Sequence, residues 1–242
     1  GAMGPQHFVE FINGSFAAYN KTNLTQVTRM SDLIFWNDAG VSLAATQVTA
    51  DPRIIYDPTV QRWFASMVDA DGGAADPTLS VNDFLLAVSD TADPTGTWHG
   101  FKFRSDPTTG AFANFPTLGV DGNAVYLSAE MYHGEANPLG TGLVSIPKAD
   151  LLAATPTIAH RKWFGVMDYA ERGQVVQPAI CFDGSCTGRM LGTSDYGNDS
   201  NPHSNLVSFA VLNAGGPGAT LTPSTFIPTL PWVVPDSLYV PA

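Results

Sequence analysis

Short apolar segments alternate with polar turns along the whole chain. Segments such as 62–68 (RWFASMV), 84–88 (FLLAV) and 124–129 (AVYLSA) are rich in aromatic, aliphatic and β-branched residues. Clusters of Gly, Pro, Asp, Asn and Ser separate them. Strands of about four to eight residues joined by tight turns have this pattern. The sequence therefore predicts an all-β protein.

One phrase, x-Pro-x-Φ-x-Φ-Asp with Φ an apolar residue, occurs three times. Its copies are 51–57 (DPRIIYD), 115–121 (FPTLGVD) and 177–183 (QPAICFD), so that their aspartates lie 64 and 62 residues apart. This period is too long for one coil of a solenoid, but it accommodates four strands and their loops. We therefore expect each period to be one four-stranded blade of a β-propeller, with the phrase as its innermost strand.

The domain boundaries follow from the repeat. A shorter blade precedes the first phrase, so blades start near residues 5, 51, 115 and 177 of a single propeller domain that covers 5–242. We expect about four to five blades, which either form a complete ring or are a fragment of a larger propeller that closes by self-association. Residues 1–4 (GAMG) have the form of an expression scar and linker.

Charge restricts the classes of partner. The formal net charge is −11, and the 11 basic residues do not cluster, so nucleic acid and anionic membrane surfaces are repelled. No apolar run approaches the roughly 18 residues that a membrane-spanning helix needs. An acidic surface favours cations, or neutral polar ligands such as glycans, although solubility alone also explains it.

The two cysteines, Cys181 and Cys186, flank the turn dipeptide Asp183-Gly184. A hairpin there brings the two thiols together. Zinc requires a second pair of ligands, and none is nearby, so we predict a disulfide, with two buried thiols as the alternative. A disulfide is typical of proteins that are exported to an oxidising compartment.

Propeller geometry predicts which distant residues converge. The strand that lines the channel and the loops between second and third strands meet at one face, which we call the mouth face. The candidate catalytic residues at this face are Asp51, Glu130 and His133. The candidate ligand-binding residues are Arg53, Asn114, Gln177, Asp195 and His203.

Acidic residues around glycines suggest a metal site in one of these loops. Asp69, Asp71 and Asp76 resemble a calcium loop, because calcium takes several oxygen ligands from flexible backbone. The closing glutamate of an EF-hand is absent, and Asp195 with Asp199 is an equal candidate. The alternative is that these carboxylates are only solvated.

Two functions are compatible with this sequence. The first is an extracellular module that binds a glycan, another small polar ligand or a protein at the channel mouth, which requires no catalytic pair. The alternative is a hydrolase, glycosidase-like or acting on an ester or phosphoester, which uses channel-mouth carboxylates with or without a divalent cation. No phosphate loop, Gly-x-Ser-x-Gly elbow or His-Glu-x-x-His motif occurs. Whether the protein is an enzyme stays open.

Two resemblances add to this picture. The opening segment 4–21 (GPQHFVEFINGSFAAYNK), with the later phrases DPRIIYD and RWF, resembles a group of large secreted bacterial proteins that carry a propeller. The resemblance implies an extracellular bacterial protein. Segment 93–98 (DPTGTW) is similar to the Asp-box of sialidases and related propellers, a structural turn between third and fourth strands.

Overall fold

A computed structural model describes residues 1–183, 186–193 and 203–233, and these residues form four antiparallel sheets. In the first three sheets along the chain all strands pair in chain order. The all-β prediction and the division into four-stranded blades are confirmed. No helix in the described part of the chain is long and apolar enough to cross a membrane.

We number the sheets as blades 1 to 4 in chain order. Blade 1 contains β1 (Ala2–Met3), β2 (His7–Ile12), β3 (Ser15–Asn20) and β4 (Gln26–Met30). Blade 2 contains β5 (Gln47–Asp57), β6 (Arg62–Asp71), β7 (Asp83–Ser89) and β8 (Trp98–Arg104). Blade 3 contains β9 (Phe112–Val120), β10 (Ala124–Tyr132), β11 (Pro138–Pro147) and β12 (Lys162–Met167). Blade 4 contains β13 (Gln174–Pro178), β14 (Gly188–Thr193), β15 (His203–Leu212), β16 (Thr220–Leu221) and β17 (Thr225–Trp232), the last two both paired with β15.

Short helices occupy some of the connections. They are α1 (Asp32–Asp38), α2 (Lys148–Leu151), α3 (Tyr169–Arg172) and a single 3₁₀ turn (Pro77–Leu79). The helix α1 begins where the Ser31 side chain accepts a hydrogen bond from the amide of Ile34, a normal N-cap. It buries Phe35 and Trp36 between blades 1 and 2.

Apolar cores lie between consecutive blades. Val9, Phe11 and Phe16 of blade 1 pack against Trp63 and Met67 of blade 2 in the first core. The second core joins blades 2 and 3, and the third joins blades 3 and 4. The alternation of each strand explains this, because one set of side chains points to the preceding blade and the other to the following blade. The two middle blades therefore bury both of their faces.

Each innermost strand from blade 2 onward contains a β-bulge at an equivalent point. The pairing register shifts between Ala50 and Arg53, and equivalent shifts occur in β9 and β13. One residue of each bulge has a left-handed backbone: Asp51 (φ 58°), Phe115 (φ 54°) and Val175 (φ 49°). Bulges of this kind bend a strand and increase its twist.

The bulges change the alignment that the sequence suggested. In blades 2 and 3 the bulge contains the first two residues of the repeated phrase, but in blade 4 it contains Val175 and Val176. Gln177 is therefore equivalent to Arg53, not to Asp51. The innermost strand of blade 1 is the short β1, and the segment that we expected there, His7–Ile12, is the second strand.

Aspartates at the face opposite the mouth face close turns. Asp121 accepts hydrogen bonds from the amides of Asn123 (2.7 Å) and Ala124 (2.9 Å) and from the Tyr126 hydroxyl (2.9 Å). Asp57 accepts hydrogen bonds from the amide and the hydroxyl of Thr59. Asp93, in the segment similar to an Asp-box, accepts from the amide and hydroxyl of Thr95 in the turn between β7 and β8. These carboxylates have structural roles.

Candidate functional site

A cavity of about 410 Å³ lies between the innermost strands, and we call it the axial cavity. Its polar side chains are Arg53 and Gln177, and its other lining side chains are apolar. Its lining residues are Gly1, Phe11, Pro52, Arg53, Ile54, Ile55, Leu118, Gln177, Pro178, Ala179 and Ile180. Concave apolar sites with a few convergent polar groups are the usual form of ligand site.

A hydrogen bond that recurs between blades fixes Arg53 in this cavity. The guanidinium of Arg53 donates to the carbonyl of Pro116 in the next blade at 2.9 Å. The equivalent Thr117 donates from its hydroxyl to the carbonyl of Val176 at 2.7 Å. In both cases the acceptor is the second residue of the next bulge. The bulge thus orients the side chain that follows it along the wall of the channel.

Gln177 departs from this rule because it is the equivalent residue of the last described blade. Its amide donates to the carbonyl of Leu118 in the preceding blade (3.1 Å) and to the carbonyl of Pro178 (2.8 Å). The side chain is nevertheless exposed. Both N–H groups of the amide are therefore occupied, and its carbonyl oxygen is the group that remains as an acceptor in the cavity.

The candidate catalytic residues do not line the axial cavity. Asp51 lies next to the lining residue Pro52, and its backbone amide donates to the side chain of Asn13. Glu130 pairs across the sheet with Asn114 and accepts a hydrogen bond from the Tyr132 hydroxyl at 3.2 Å. None of the described residues around this cavity is Asp, Glu or His.

The strained backbone of Asp51 is not evidence of catalysis. Left-handed residues often mark functional sites. Here Phe115 and Val175 have the same conformation at equivalent points, so the strain belongs to the repeat. The bulge of blade 3 does leave one aromatic side chain exposed, because Phe115 is 54% exposed beside the polar Asn114. Sequence reasoning did not select Phe115, since an aromatic residue at the start of an apolar phrase is typical of a core.

The remaining candidates are dispersed. His133 is exposed in the turn after β10, where its amide donates to the carbonyl of Asn137. His203 starts β15, and its ring lies 4.8 Å from the ring of Trp232 between centroids. Asp195 and Asp199 lie outside the described residues.

The structure does not bring the three predicted calcium ligands together. Asp69 is buried, and its carboxylate contacts Lys102 Nζ (2.8 Å), the side-chain amide of Gln47 (2.6 Å) and the backbone amide of Asp83 (2.7 Å). Asp71 and Asp76 accept hydrogen bonds in local turns. Among the described residues the only group of three ligand-type side chains within 4.8 Å is Cys181, Asp183 and Cys186.

Hydrogen bonds also set the charge of Asp76. The Thr78 hydroxyl, with smaller contributions from backbone amides, holds the pKa of the Asp76 carboxyl below its usual value. A donor that binds the charged form favours ionisation. Asp76 therefore remains ionised. One of its carboxylate oxygens already accepts hydrogen bonds from the amide and the hydroxyl of Thr78.

Cys181 and Cys186 form a disulfide beside the seam between blades 3 and 4. The amide of Cys181 donates to the carbonyl of Val120, so the bridge anchors the end of the innermost strand. We expect thiol titration of the denatured, unreduced protein to detect no free thiol. Because the closed loop is short, replacing both cysteines with serine should lower the free energy of unfolding by only about 2 kcal/mol. Two free thiols in the titration would contradict the assignment.

Comparison with known proteins gives structural likenesses only. No family model matches the sequence, and no curated protein matches it. Among solved structures, the chain is similar to an exo-β-1,3-galactanase from Phanerochaete chrysosporium with 14% identity and a TM-score of 0.37, covering 93% of this chain and 50% of that chain. A GH43 endo-arabinanase from Bacillus licheniformis matches with 14% identity and a TM-score of 0.39, covering 94% of this chain and 99% of that chain. This chain spans about half the length of the galactanase.

Proposed function

We propose that the axial cavity binds a glycan. The observation that carries the proposal is the convergence of Arg53 and Gln177, from blades 2 and 4, in one cavity whose other side chains are apolar. A saccharide presents hydroxyl oxygens around apolar ring faces. The guanidinium of Arg53 supplies donors for those oxygens, the amide carbonyl of Gln177 accepts from the hydroxyl groups, and the apolar lining side chains supply surface for the ring faces.

The chemistry of the cavity favours binding over catalysis. Glycoside hydrolysis requires two carboxyl groups that flank the scissile bond. The described lining residues contribute a cation and an amide, and the acids Asp51 and Glu130 lie outside the lining. Hydrogen bonds to backbone carbonyls hold both side chains in place.

Replacement of Arg53 tests the site. We expect Arg53→Ala to raise the dissociation constant for a glycan selected from an array by at least about tenfold, since a charge-assisted hydrogen bond is lost. Arg62→Ala is the matched control, because Arg62 contacts the carbonyls of Val60 and Gln61 in the turn at the opposite face. Titration calorimetry on both variants measures the difference. Equal affinities, or no ligand in the whole array, would remove the proposal.

Hydrolysis of the bound glycan is a second candidate, favoured by one observation. Asp51 is adjacent in sequence to the lining residue Pro52, so its carboxylate belongs to a strand that borders the cavity. If this acid reacts, Asp51→Asn retains glycan binding and loses release of reducing sugar, because an amide cannot serve as acid, base or nucleophile. Absence of reducing sugar with the unmodified protein removes this candidate and leaves the binding proposal intact.

A further inference from the structure

The two ends of the row of blades expose apolar sheet faces. On blade 4 the face that points away from blade 3 carries Leu191 (40% exposed) and Ile227 (42% exposed). On blade 1 the face that points away from blade 2 carries Phe8 (37% exposed) and Ile12 (50% exposed). We call these the blade 4 end face and the blade 1 end face. The apolar cores among the described residues join blades 1 to 2, 2 to 3 and 3 to 4, and none joins blade 4 to blade 1.

The hydrogen bonding at the blade 4 end face indicates what kind of partner it takes. Arg53 and Thr117 each donate to the carbonyl of a bulge in the following blade. Gln177 is the equivalent residue in blade 4, and both N–H groups of its amide donate instead to the carbonyls of Leu118 and Pro178. The hydrogen bond that joins consecutive blades therefore has no counterpart at this face among the described residues. The blade 4 end face is equivalent to the faces of blades 2 and 3 that each pack on a following blade.

The blade 1 end face has the complementary form. A groove of about 500 Å³ lies there, lined by Phe8, Tyr19 and Leu24 among others. The forward face of a blade is the face that points toward the following blade along the chain, and the rear face is the opposite one. In the described part of the chain, the forward faces of blades 1, 2 and 3 each pack on the rear face of the next blade. The blade 4 end face is a forward face and the blade 1 end face is a rear face, so the two are of the kinds that pack together.

Charge supports the same pairing. Arg189 lies on the blade 4 end face, in the same orientation as Leu191 along β14. Glu10 lies on the blade 1 end face, between Phe8 and Ile12 along β2. Opposite charges across an interface fix its register and suppress wrong pairings.

We propose that the two end faces bind each other between copies of this chain, the blade 4 end face of one copy against the blade 1 end face of the next. Leu191 of one copy enters the groove beside Phe8 of the other. The contact is head-to-tail, so assembly closes into a ring if the rotation permits and continues as a filament if it does not.

Sedimentation velocity with single variants tests the proposal. We expect the unmodified protein to associate in a concentration-dependent manner between about 1 and 100 µM, a range that standard-size interfaces cover. Leu191→Glu and Phe8→Glu should each abolish association, because each removes one of the two faces from every copy. Val48→Glu is the matched control, because Val48 is 49% exposed on blade 2 and its variant should associate normally.

Mixing the two variants tests whether the contact between copies is head-to-tail. An equimolar mixture of Leu191→Glu and Phe8→Glu retains one intact pair of faces, so a heterodimer should form although neither variant associates alone. Glu10→Arg and Arg189→Glu should each weaken association about tenfold, and the double variant should restore it. A protein that stays monomeric throughout the concentration range overturns the proposal. Association that survives either single variant overturns the head-to-tail pairing.

Discussion

Replacing Lys148 with alanine should lower the free energy of unfolding by about 3–5 kcal/mol. The Nζ atom of Lys148 lies 2.6 Å from Oδ2 of Asp57, and the two side chains are 4% and 0% exposed. Lys148 begins α2 after the third strand of blade 3, whereas Asp57 ends the innermost strand of blade 2. The pair therefore connects two blades at the opposite face. Without the lysine, Asp57 retains its bonds from Thr59 but remains a buried charge without a counter-ion.

Urea denaturation at pH 7 measures this effect. Lys162→Ala is the control, because Lys162 is a partly exposed lysine of the same blade, and its replacement should change the free energy of unfolding by less than about 1 kcal/mol. The double variant Asp57→Asn, Lys148→Met removes both charges and should recover more than half of the loss. A cost below about 1 kcal/mol for Lys148→Ala would show that the pair is solvated in solution.

Strand positions in this protein are predictable because they depend on local pattern. The segments 62–68, 84–88 and 124–129 are parts of β6, β7 and β10, respectively. Alternating apolar residues and turn formers act over a few residues, so they are visible in the sequence. The spacing of the repeated phrase likewise identified β5 and β9 as innermost strands.

Register and pairing depend on contacts between distant segments, and there the sequence was insufficient. Pro178 occupies the same position of the repeated phrase as Pro52 and Pro116. The bulge of blade 4, however, lies at Val175 and Val176, two residues before the start of the phrase. Asp69 resembled a calcium ligand, yet Lys102 on the fourth strand of its own blade neutralises it. Spacing along the chain does not show which cation a carboxylate meets.

The candidate site illustrates the same limit. Arg53 and Gln177 were predicted at the channel, and both line the axial cavity. The acids were placed there by assuming that polar loop residues converge on the axis. The lining instead includes apolar side chains of the innermost strands, such as Ile54 and Leu118, which a sequence pattern assigns to a core.

Replacing Gly119 with valine should destabilise the fold by about 3 kcal/mol, at the upper end of the usual cost of overpacking. Gly119 lies on β9, where the innermost strands of blades 3 and 4 approach closely enough for Val120 and Ile180 to form a parallel bridge. A Cβ atom on Gly119 would lie 2.5 Å from Cβ and 2.7 Å from the carbonyl oxygen of Pro178. The proline ring and the backbone cannot rotate away, so the two strands must separate.

Gly119→Val should also change the shape of the axial cavity, because Leu118 and Pro178 both line it. We therefore expect Gly119→Val to weaken glycan binding together with stability, whereas Arg53→Ala weakens binding alone. Gly122→Val is the matched control, since a Cβ atom on Gly122 meets no atom within 4 Å and its replacement should cost less than about 1 kcal/mol. Urea denaturation and calorimetry on the three variants separate the effects. Unchanged stability of Gly119→Val would mean that β9 and β13 do not touch, and the cavity between them would then lack its wall.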